Sequence, residues 1–319
     1  MKRFTNLLMA GLAGFVPGLE LENTNILGYD DTRQLTDFNR FRAELTVEHE
    51  EYPDLIGKLI VDNRNEYTTK PSDMHNTTEL YRGFVQYRGS EHFFSVGRQR
   101  IPLGVGRIWN PIDVFNPIDV EAIETDEREG TDSIRYEYAF SELSNIDATI
   151  AQDQVAIRVK GYLEYADVAL IGLWDEDNDL EIIGWELEGE LPQTGIELRS
   201  EGGYFHHLAS GDRFTDYIVG AEYGFPNSLT VLAEYRYSGF AKSDYLGAMA
   251  SYQPAMLWLF NLLLVTSLND QSGFIAPSVE YSLGDDMTLS AGAFLYFGSD
   301  DDEFGQADDR FYLRWFVHF

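Results

Sequence analysis

The stretch Phe311–Phe319, which reads Phe-Tyr-Leu-Arg-Trp-Phe-Val-His-Phe, decides how the rest of the sequence is interpreted. Side chains alternate between the two faces of a β-strand, so every second residue shares a face. One face is entirely apolar and consists of Phe311, Leu313, Trp315, Val317 and Phe319. The other face is mixed and carries Tyr312, Arg314, Phe316 and His318. This pattern is typical of a strand between lipid and an aqueous lumen, although by itself it also fits an edge strand of a soluble sandwich.

The composition favours strands over helices as membrane-spanning elements. Hydrophobic residues make up 44% of the 319 residues, which is too few for a protein that crosses a membrane with helices. The longest apolar run, Met256–Val265, contains Asn261 and is shorter than the roughly 20 residues that a spanning helix needs. A spanning strand needs an apolar residue only at every second position, and the 45 aromatic residues (19 Tyr, 21 Phe and 5 Trp) suit the girdles of a barrel.

Charge and cysteine content exclude several function classes. The formal net charge is −31, from 54 acidic and 23 basic residues, and nucleic-acid binding requires the opposite sign. The absence of Cys excludes a disulfide framework and a thiolate metal site. We therefore expect no nucleic-acid partner.

Period-two alternation continues through most of the chain. From residue 19 onward we find about eighteen such segments of roughly 9–13 residues, the length of tilted spanning strands. In Leu229–Tyr237 one face is uncharged and the other carries Glu234 and Arg236. In Leu80–Arg88 the same rule places Tyr81 on the uncharged face. The pattern predicts an all-β fold: a closed antiparallel transmembrane β-barrel of about eighteen strands over residues 19–319.

Connection lengths and closure support the barrel. Tight connections alternate with longer ones, and the longer ones are predicted at Thr68–Thr77, Ile101–Gly130, His206–Thr215 and Gly298–Asp308. Short turns on one rim and long loops on the other are typical of outer-membrane barrels. An open sheet edge cannot face hydrocarbon, so the first strand, near Leu19–Tyr29, should pair with the last.

The N-terminal segment resembles an export signal. Residues 1–18 begin with Lys2 and Arg3 and continue with an apolar stretch that is too short to span a membrane. We interpret them as a signal peptide; a structured N-terminal segment is the alternative.

Between residues 101 and 130 the alternation stops. This length is unusual for a connection and indicates a functional loop. The sequence Asn-Pro-Ile-Asp-Val occurs twice there, at Asn110–Val114 and Asn116–Val120, and predicts two compact turns. Their apolar side chains should pack against the barrel interior, which predicts an inward-folded constriction loop; the alternative is an extracellular lid or a strand-capping loop. Its candidate functional residues are Arg107, Trp109, Asp113, Phe115 and Asp119.

Around this loop the sequence resembles a known class of protein. Gly97-Arg98-Gln99-Arg100 and the segment Gly104–Pro117 resemble the strand end and Asn-Pro loop of bacterial outer-membrane porin-like barrels of an uncharacterised type. The segment is also distantly similar to the alginate-export barrel family. A last strand ending in Phe319 resembles the signal by which the barrel-assembly machinery recognises such proteins. The resemblance implies an outer-membrane barrel of a Gram-negative bacterium and names no substrate.

The charged faces of the strands predict the lining of a lumen. Basic side chains dominate the first half and acidic ones the second, which would place a basic wall opposite an acidic wall. The candidate pore-lining residues are Arg40, Arg42, Lys58, Arg64, Arg82, Arg88, Arg135, Arg158, Lys160, Glu186, Glu188, Glu190, Glu197, Glu222, Glu234 and Glu280. The alternative is a structural network of ion pairs that fills the lumen.

These patterns together predict a porin, a transport channel for passive diffusion of small polar or charged solutes. The alternative is a plugged barrel that serves as a scaffold for a partner, such as an electron-transfer or polysaccharide-export complex. We recognise no catalytic motif, so we predict no enzyme activity, no cofactor and no metal site. The expected partners are outer-membrane lipid, the transported solutes and further copies of the chain in a homo-oligomer.

Overall fold

The structure, a computed structural model, describes residues 15–319 and forms one closed sheet of 18 antiparallel strands. The strands are β1 (Phe15–Asp30), β2 (Leu35–His49), β3 (Leu55–Thr69), β4 (Ser72–Arg88), β5 (His92–Gln99), β6 (Thr131–Ser141), β7 (Ser144–Ala151), β8 (Gln154–Leu163), β9 (Ala166–Asp175), β10 (Leu180–Leu191), β11 (Ile196–His207), β12 (Arg213–Gly224), β13 (Leu229–Ser238), β14 (Ser243–Ala255), β15 (Trp258–Ser267), β16 (Gly273–Gly284), β17 (Met287–Phe297) and β18 (Arg310–His318). Across this part of the chain, no helix is long and apolar enough to cross a membrane.

The first and last strands close the barrel. β1 pairs with β18 in a register that sets Asn25 opposite Trp315 and Leu27 opposite Leu313. Each strand also pairs with its sequence neighbours, so both edges of the sheet are hydrogen-bonded. The predicted closure and strand number are confirmed.

The two faces of the wall differ as the alternation predicts. On β10, Ile183 is 71% exposed on the outer face, whereas Glu186 is only 6% exposed inside. On β13, Val231 and Ala233 face outward and Glu234 faces inward, fully buried. The apolar outer face and the charged interior therefore run in register along neighbouring strands.

One predicted face is wrong. The pairing of β3 with β4 sets Ile60 opposite Arg82 and Val61 opposite Leu80, so Tyr81 has no partner in the register. Such a bulge lets two successive side chains point to the same side. Tyr81 therefore faces the interior together with Arg82, and it is only 4% exposed. A strict period of two cannot predict this, because the bulge depends on the partner strand.

The two rims carry different connections. We call the rim where β1 begins and β18 ends the terminal rim, and the opposite one the loop rim. The loop rim carries the 100–130 connection between β5 and β6 and the 298–309 connection between β17 and β18. The predicted long loop at Thr68–Thr77 is wrong, since β3 and β4 continue through it to a turn at Lys70 and Pro71. The predicted His206–Thr215 loop shortens to residues 208–212.

The predicted export signal lies mostly outside the described residues. Its last part, residues 15–18, belongs to β1, where Phe15 pairs with His49 and Gly18 with Thr46. The first strand therefore begins four residues before the predicted start at residue 19.

Candidate functional site

The loop over residues 100–130 folds into the barrel, and the two Asn-Pro-Ile-Asp-Val repeats make its turns. Asp113 accepts hydrogen bonds from the backbone N–H of Phe115 (3.1 Å) and Asn116 (2.9 Å). Asp119 accepts one from the N–H of Glu121 (3.0 Å). In each repeat the aspartate therefore caps the amide two residues later, as an Asx turn does.

The two asparagines of the repeats join distant parts of the loop. The side-chain oxygen of Asn110 accepts from the N–H of Ile118 (2.8 Å) in the second repeat. The side-chain oxygen of Asn116 accepts from the N–H of Ile101 (2.7 Å), and its amide donates to the carbonyl of Glu129 (2.6 Å). Asn116 thus joins the two ends of the loop where it leaves β5 and enters β6.

Apolar side chains of the loop pack on two parts of the barrel wall. Ile101, Leu103, Ile112 and Phe115 form one buried cluster with inward residues of β7 to β11. Ile108 and Trp109 form a second cluster with inward residues of β12 to β17, where the rings of Trp109 and Tyr245 lie 6.3 Å apart. Burial of this apolar surface holds the loop inside the lumen. The predicted inward fold of the loop is confirmed.

Three wall carboxylates bind the backbone of the segment Gly104–Trp109. Glu186 on β10 accepts from the N–H of Gly104 (2.7 Å). Glu201 on β11 accepts from the N–H groups of the next two residues, Val105 and Gly106. Glu234 on β13 accepts from those of the last three, Arg107 (2.7 Å), Ile108 (2.9 Å) and Trp109 (3.3 Å). We call Glu186, Glu201 and Glu234 the carboxylate clamp.

The opposite wall binds the loop through arginines. Arg40 pairs with Glu124 (3.0 Å) and Glu127 (3.3 Å) of the loop. Arg42 pairs with Glu127 (2.8 Å) and with the fully buried Asp62 of β3 (2.7 Å). Further contacts of this kind join Arg314 to Glu124 (2.8 Å), Arg310 to Glu121 (3.5 Å) and Arg64 to Glu129 (3.8 Å). We call Arg40, Arg42, Arg64, Arg310 and Arg314 the arginine wall.

Burial and these contacts shift the pKa values of two acidic residues of the loop, Glu127 and Asp113. Burial alone would raise the pKa of Glu127, but the hydrogen bond from Arg42 and the positive charges of Arg40 and Arg42 bring it below its usual value. Burial raises the pKa of Asp113 to about 6, although the amides of Asn116 and Phe115 and the charge of Arg128 oppose the shift. Arg128 anchors this end of the loop, because its carbonyl accepts from the hydroxyl of Tyr81 (2.8 Å).

The five candidate residues of the loop have different environments. Trp109, Asp113 and Phe115 are buried and hold the loop together and against the wall. Arg107 reaches the lumen, where its side chain is 49% exposed and lies 3.2 Å from Glu188 and 3.7 Å from Glu197. Asp119 is exposed and caps its own turn.

All the candidate pore-lining residues lie at strand positions that face the interior. Four of them are covered by the loop or its contacts and are at most 6% exposed, namely Arg40, Arg42, Glu186 and Glu234. These four side chains were predicted to contact solute, but in the structure they contact the loop. Partly exposed or exposed members include Lys58, Lys160, Glu188, Glu190, Glu197 and Glu222, and their part in transport stays a prediction.

Glu201 and Arg199 also belong to the site, although they are not among the candidate pore-lining residues. Glu201 is fully buried, and Arg199 is 1% exposed with Glu222 at 2.8 Å. The alternation along Ile196–His207 assigns both to the interior, as the structure does, but does not single them out from the other lumenal charges. Glu201 belongs to the site because the loop passes beside it, and the sequence of β11 does not predict the path of the loop.

The loop does not fill the lumen. A polar cavity of about 300 Å³ lies between Ile123–Glu127 of the loop and the inward face of β15 to β18. Asn261, Ser278, Glu280 and Arg314 are among its lining residues. A polar space therefore remains between the loop and this part of the wall.

A second segment folds inward at the loop rim. Within the 298–309 connection, Glu303 accepts from the hydroxyl of Tyr245 (2.9 Å), and Phe304 packs on Phe274 with ring centroids 5.8 Å apart. Asp270 accepts from the N–H of Glu303 (3.0 Å), and this bond, together with those from Ser272, holds the pKa of Asp270 well below its usual value. The second segment covers the β14 to β16 side of the interior.

Solved structures share this fold at low sequence identity. Pseudomonas aeruginosa OccK5 (OpdH) superposes with a TM-score of 0.66 at 10% identity, over 95% of this chain and 97% of that one. A triple mutant of Rhodopseudomonas blastica porin gives 0.56 at 12% identity, over 95% and 100% of the two chains. A loop-deletion mutant of OmpT, an outer membrane protein of Vibrio cholerae, gives 0.52 at 11% identity, over 96% and 100%.

These similarities establish the barrel architecture. No protein-family model matches the chain, and no curated protein sequence matches it. The similarity to porin-type barrels is therefore one of fold, and the distant similarity to alginate-export barrels stays a prediction.

Proposed function

We propose that this protein is an outer-membrane channel of a Gram-negative bacterium through which small polar or charged solutes diffuse passively. The observation that carries the proposal is the closed barrel itself, with an apolar outer face, a charged interior and an inward loop that narrows the lumen. The shared fold with a porin and with an outer membrane protein supports the compartment and the function.

We further propose that the channel prefers cations. The arginine wall binds acidic residues of the loop, so its positive charge is neutralised at the constriction. The carboxylate clamp binds neutral backbone amides, and the arginines near it are Arg158 (3.6 Å from Glu186) and Arg199 (4.0 Å from Glu234), so its side of the lumen keeps an excess of acidic groups. On that side four at least partly exposed glutamates face two arginines, Arg107 and Arg199; the glutamates are Glu188, Glu190, Glu197 and Glu222. An excess of negative charge in a narrow aqueous pore favours cations.

Conductance in a planar lipid bilayer tests both parts of the proposal. We expect discrete steps of ion current and, in a KCl gradient, a reversal potential of the sign for cation preference. The triple variant E188Q/E197Q/E222Q should lower the ratio of cation to anion permeability at least twofold, because it removes three charges without changing side-chain size. Glu181 faces outward near the loop rim, so E181Q is the matched control and should leave the ratio unchanged.

Two results would contradict the proposal. A purified, folded barrel that gives no current steps would favour the plugged scaffold over the channel. Current steps with the reversal potential of an anion-preferring pore would retain the channel and remove the cation preference.

A further inference from the structure

The outer face of β1 to β4 carries a patch of carboxamides that the apolar pattern of the wall does not explain. Five asparagines of three strands face outward there, together with two polar residues of β4; the set is Asn23, Asn25, Asn39, Asn63, Asn65, Asn76 and Thr78. We call these residues the amide patch. The corresponding outward positions elsewhere in the barrel are apolar, for example Leu170, Val219, Leu262 and Leu313.

Hydrogen bonds connect the amide patch along and across the strands. On β1 and β2, Asn25 donates to Asn23 (2.6 Å) and Asn39 donates to Asn25 (2.7 Å). On β3 and β4, Asn65 donates to Asn63 (3.1 Å) and Asn76 donates to Asn65 (2.6 Å). Asn39 and Asn65 are register partners, so the two chains of hydrogen bonds adjoin.

The register places the amide patch within the apolar belt. Along β1 the patch lies between Leu21 and the exposed Leu27, and Asn25 is paired with the outward Trp315 of β18. Along β3 it lies between Val61 and Tyr67. Along β2, the exposed Asp37 follows Asn39 on the outward face, level with Leu27 and Tyr67, so the patch adjoins one charged side chain toward the loop rim. On β1 and β3 the amides lie between side chains suited to lipid, so they do not all belong to an aqueous rim.

Lipid acyl chains cannot form hydrogen bonds with the side chains of the amide patch. A carboxamide has two N–H donors and an oxygen with two acceptor sites, and the internal hydrogen bonds leave part of this capacity unused. In hydrocarbon the unused capacity is costly, because no water is present to satisfy it. Polar side chains on the surface of membrane-spanning segments commonly form contacts with another protein segment.

The chemistry of the amide patch fits a second copy of the same chain. Carboxamides are both donors and acceptors, so a patch of them can pair with an identical patch about a two-fold axis. Its seven side chains carry no charge, and the one carboxylate beside them, Asp37, lies at the edge toward the loop rim, so contact through the patch limits the repulsion expected between two chains with a formal net charge of −31. Phe41, paired in register with Asn23 and Asn63 and 42% exposed, offers an aromatic anchor within the patch.

We propose that two copies of the barrel associate in the membrane through face-to-face contact of their amide patches. The proposal rests on the membrane placement that belongs to the proposed function, but not on conduction. Because the contact is isologous, a residue at its centre lies close to the same residue of the partner copy.

Cysteine cross-linking tests this arrangement, since the chain contains no Cys. In native-like lipid vesicles with a mild oxidant, F41C should give a disulfide-linked dimer as the main species. Ala233 faces outward on β13, on another side of the barrel, so A233C should give at most a few per cent of dimer. Equal cross-linking of both variants, or none in F41C, would overturn the proposal.

A second variant separates association from folding. N25L/N39L/N65L replaces three adjacent amides by lipid-compatible side chains, so the barrel should fold and conduct, while native mass spectrometry should show at least tenfold less dimer. The matched control A221L/A233L/A248L adds three leucines at register-paired outward positions of β12 to β14 and should leave the dimer intact. A wild type that is monomeric, or that carries a bound polar lipid on the patch in place of a second copy, would overturn the proposal even if the pore conducts.

Discussion

The arginine wall and the carboxylate clamp hold the same loop by opposite means. The arginines bind side-chain carboxylates of the loop, so each contact joins two formal charges. The clamp binds main-chain N–H groups of Gly104–Trp109, so each contact joins a carboxylate to a neutral dipole. Charge-assisted hydrogen bonds are strong in both cases. The loop supplies opposite charges to the arginine wall, whereas it supplies none to the clamp, whose nearest arginines are Arg158 and Arg199 of the barrel wall. The contacts that hold the loop therefore also decide which charges of the wall it neutralises.

The largest effect is expected from R42A on the arginine side. The substitution removes the nearest guanidinium from the fully buried Asp62 and from the loop residue Glu127, which keep only the longer contacts with Arg64 (3.5 Å) and Arg40 (3.3 Å). Removing one partner of a buried ion pair typically costs about 3–5 kcal/mol, so the free energy of unfolding in detergent should fall by roughly that amount. Arg88 faces the lumen and has no ion pair within residues 15–319, so R88A is the control and should change stability by less than about 0.5 kcal/mol. Equal stability of R42A and the wild type would show that the loop is not held by charge on this side.

A smaller effect is expected from the clamp, where E201A/E234A removes the acceptors for the N–H groups of residues 105–109. Unsatisfied buried amides cost about 1–3 kcal/mol each, but a released loop regains water, so we expect a net loss of about 2–3 kcal/mol. Limited proteolysis should then cut within residues 101–130, and the single-channel current should become larger and noisier. Glu222 also faces inward but accepts no loop amide, and E222A should leave proteolysis unchanged. A protected loop in E201A/E234A would mean that apolar burial alone holds it.

The smallest effect is the pH dependence of stability caused by Asp113, which is buried inside the loop. The pKa of Asp113 is raised to about 6 in the folded protein, from 3.8. The folded state thus binds more protons than the unfolded state between these values, and stability falls as the pH rises from about 4 to 6. We expect a loss of about 1–2 kcal/mol across this window, because the loop can relax around the ionised side chain. D113N cannot ionise, so the difference in unfolding free energy between it and the wild type should depend on pH there; a constant difference would contradict the raised pKa.

The comparison of the two walls also shows what the sequence could predict about the site. Alternation placed Arg40, Arg42, Glu186 and Glu234 inside, because a buried or lumenal face is set by a period of two. It could not say which of them the loop covers. That depends on contacts between residues far apart in the chain, such as Ile108 with Glu234.

The two wrong predictions, the face of Tyr81 and the loop at Thr68–Thr77, also depend on contacts between distant residues, here the pairing of β3 with β4. Tyr81 was assigned to the wrong face because a bulge opposite Ile60 and Val61 is a property of strand pairing. The Thr68–Thr77 segment was predicted as a loop because it is polar, yet β3 and β4 pair through it. A polar segment forms a loop only when no neighbouring strand hydrogen-bonds to its backbone. The sequence of one segment does not show whether such a strand is present.

The amino-acid sequence by itself indicated the closed barrel, since about eighteen segments share a two-residue period with one uncharged face, and tight connections alternate with longer ones. It also determined the turns of the loop, because each Asp of the Asn-Pro-Ile-Asp-Val repeats caps an amide only two residues away. The tertiary structure decided which charges the loop neutralises and which stay open to the lumen. The physical reason is that ion pairs and carboxylate–amide contacts form between residues far apart in the chain, as between Ile108 and Glu234 or between Glu124 and Arg314, and no local sequence pattern predicts which distant residues will meet.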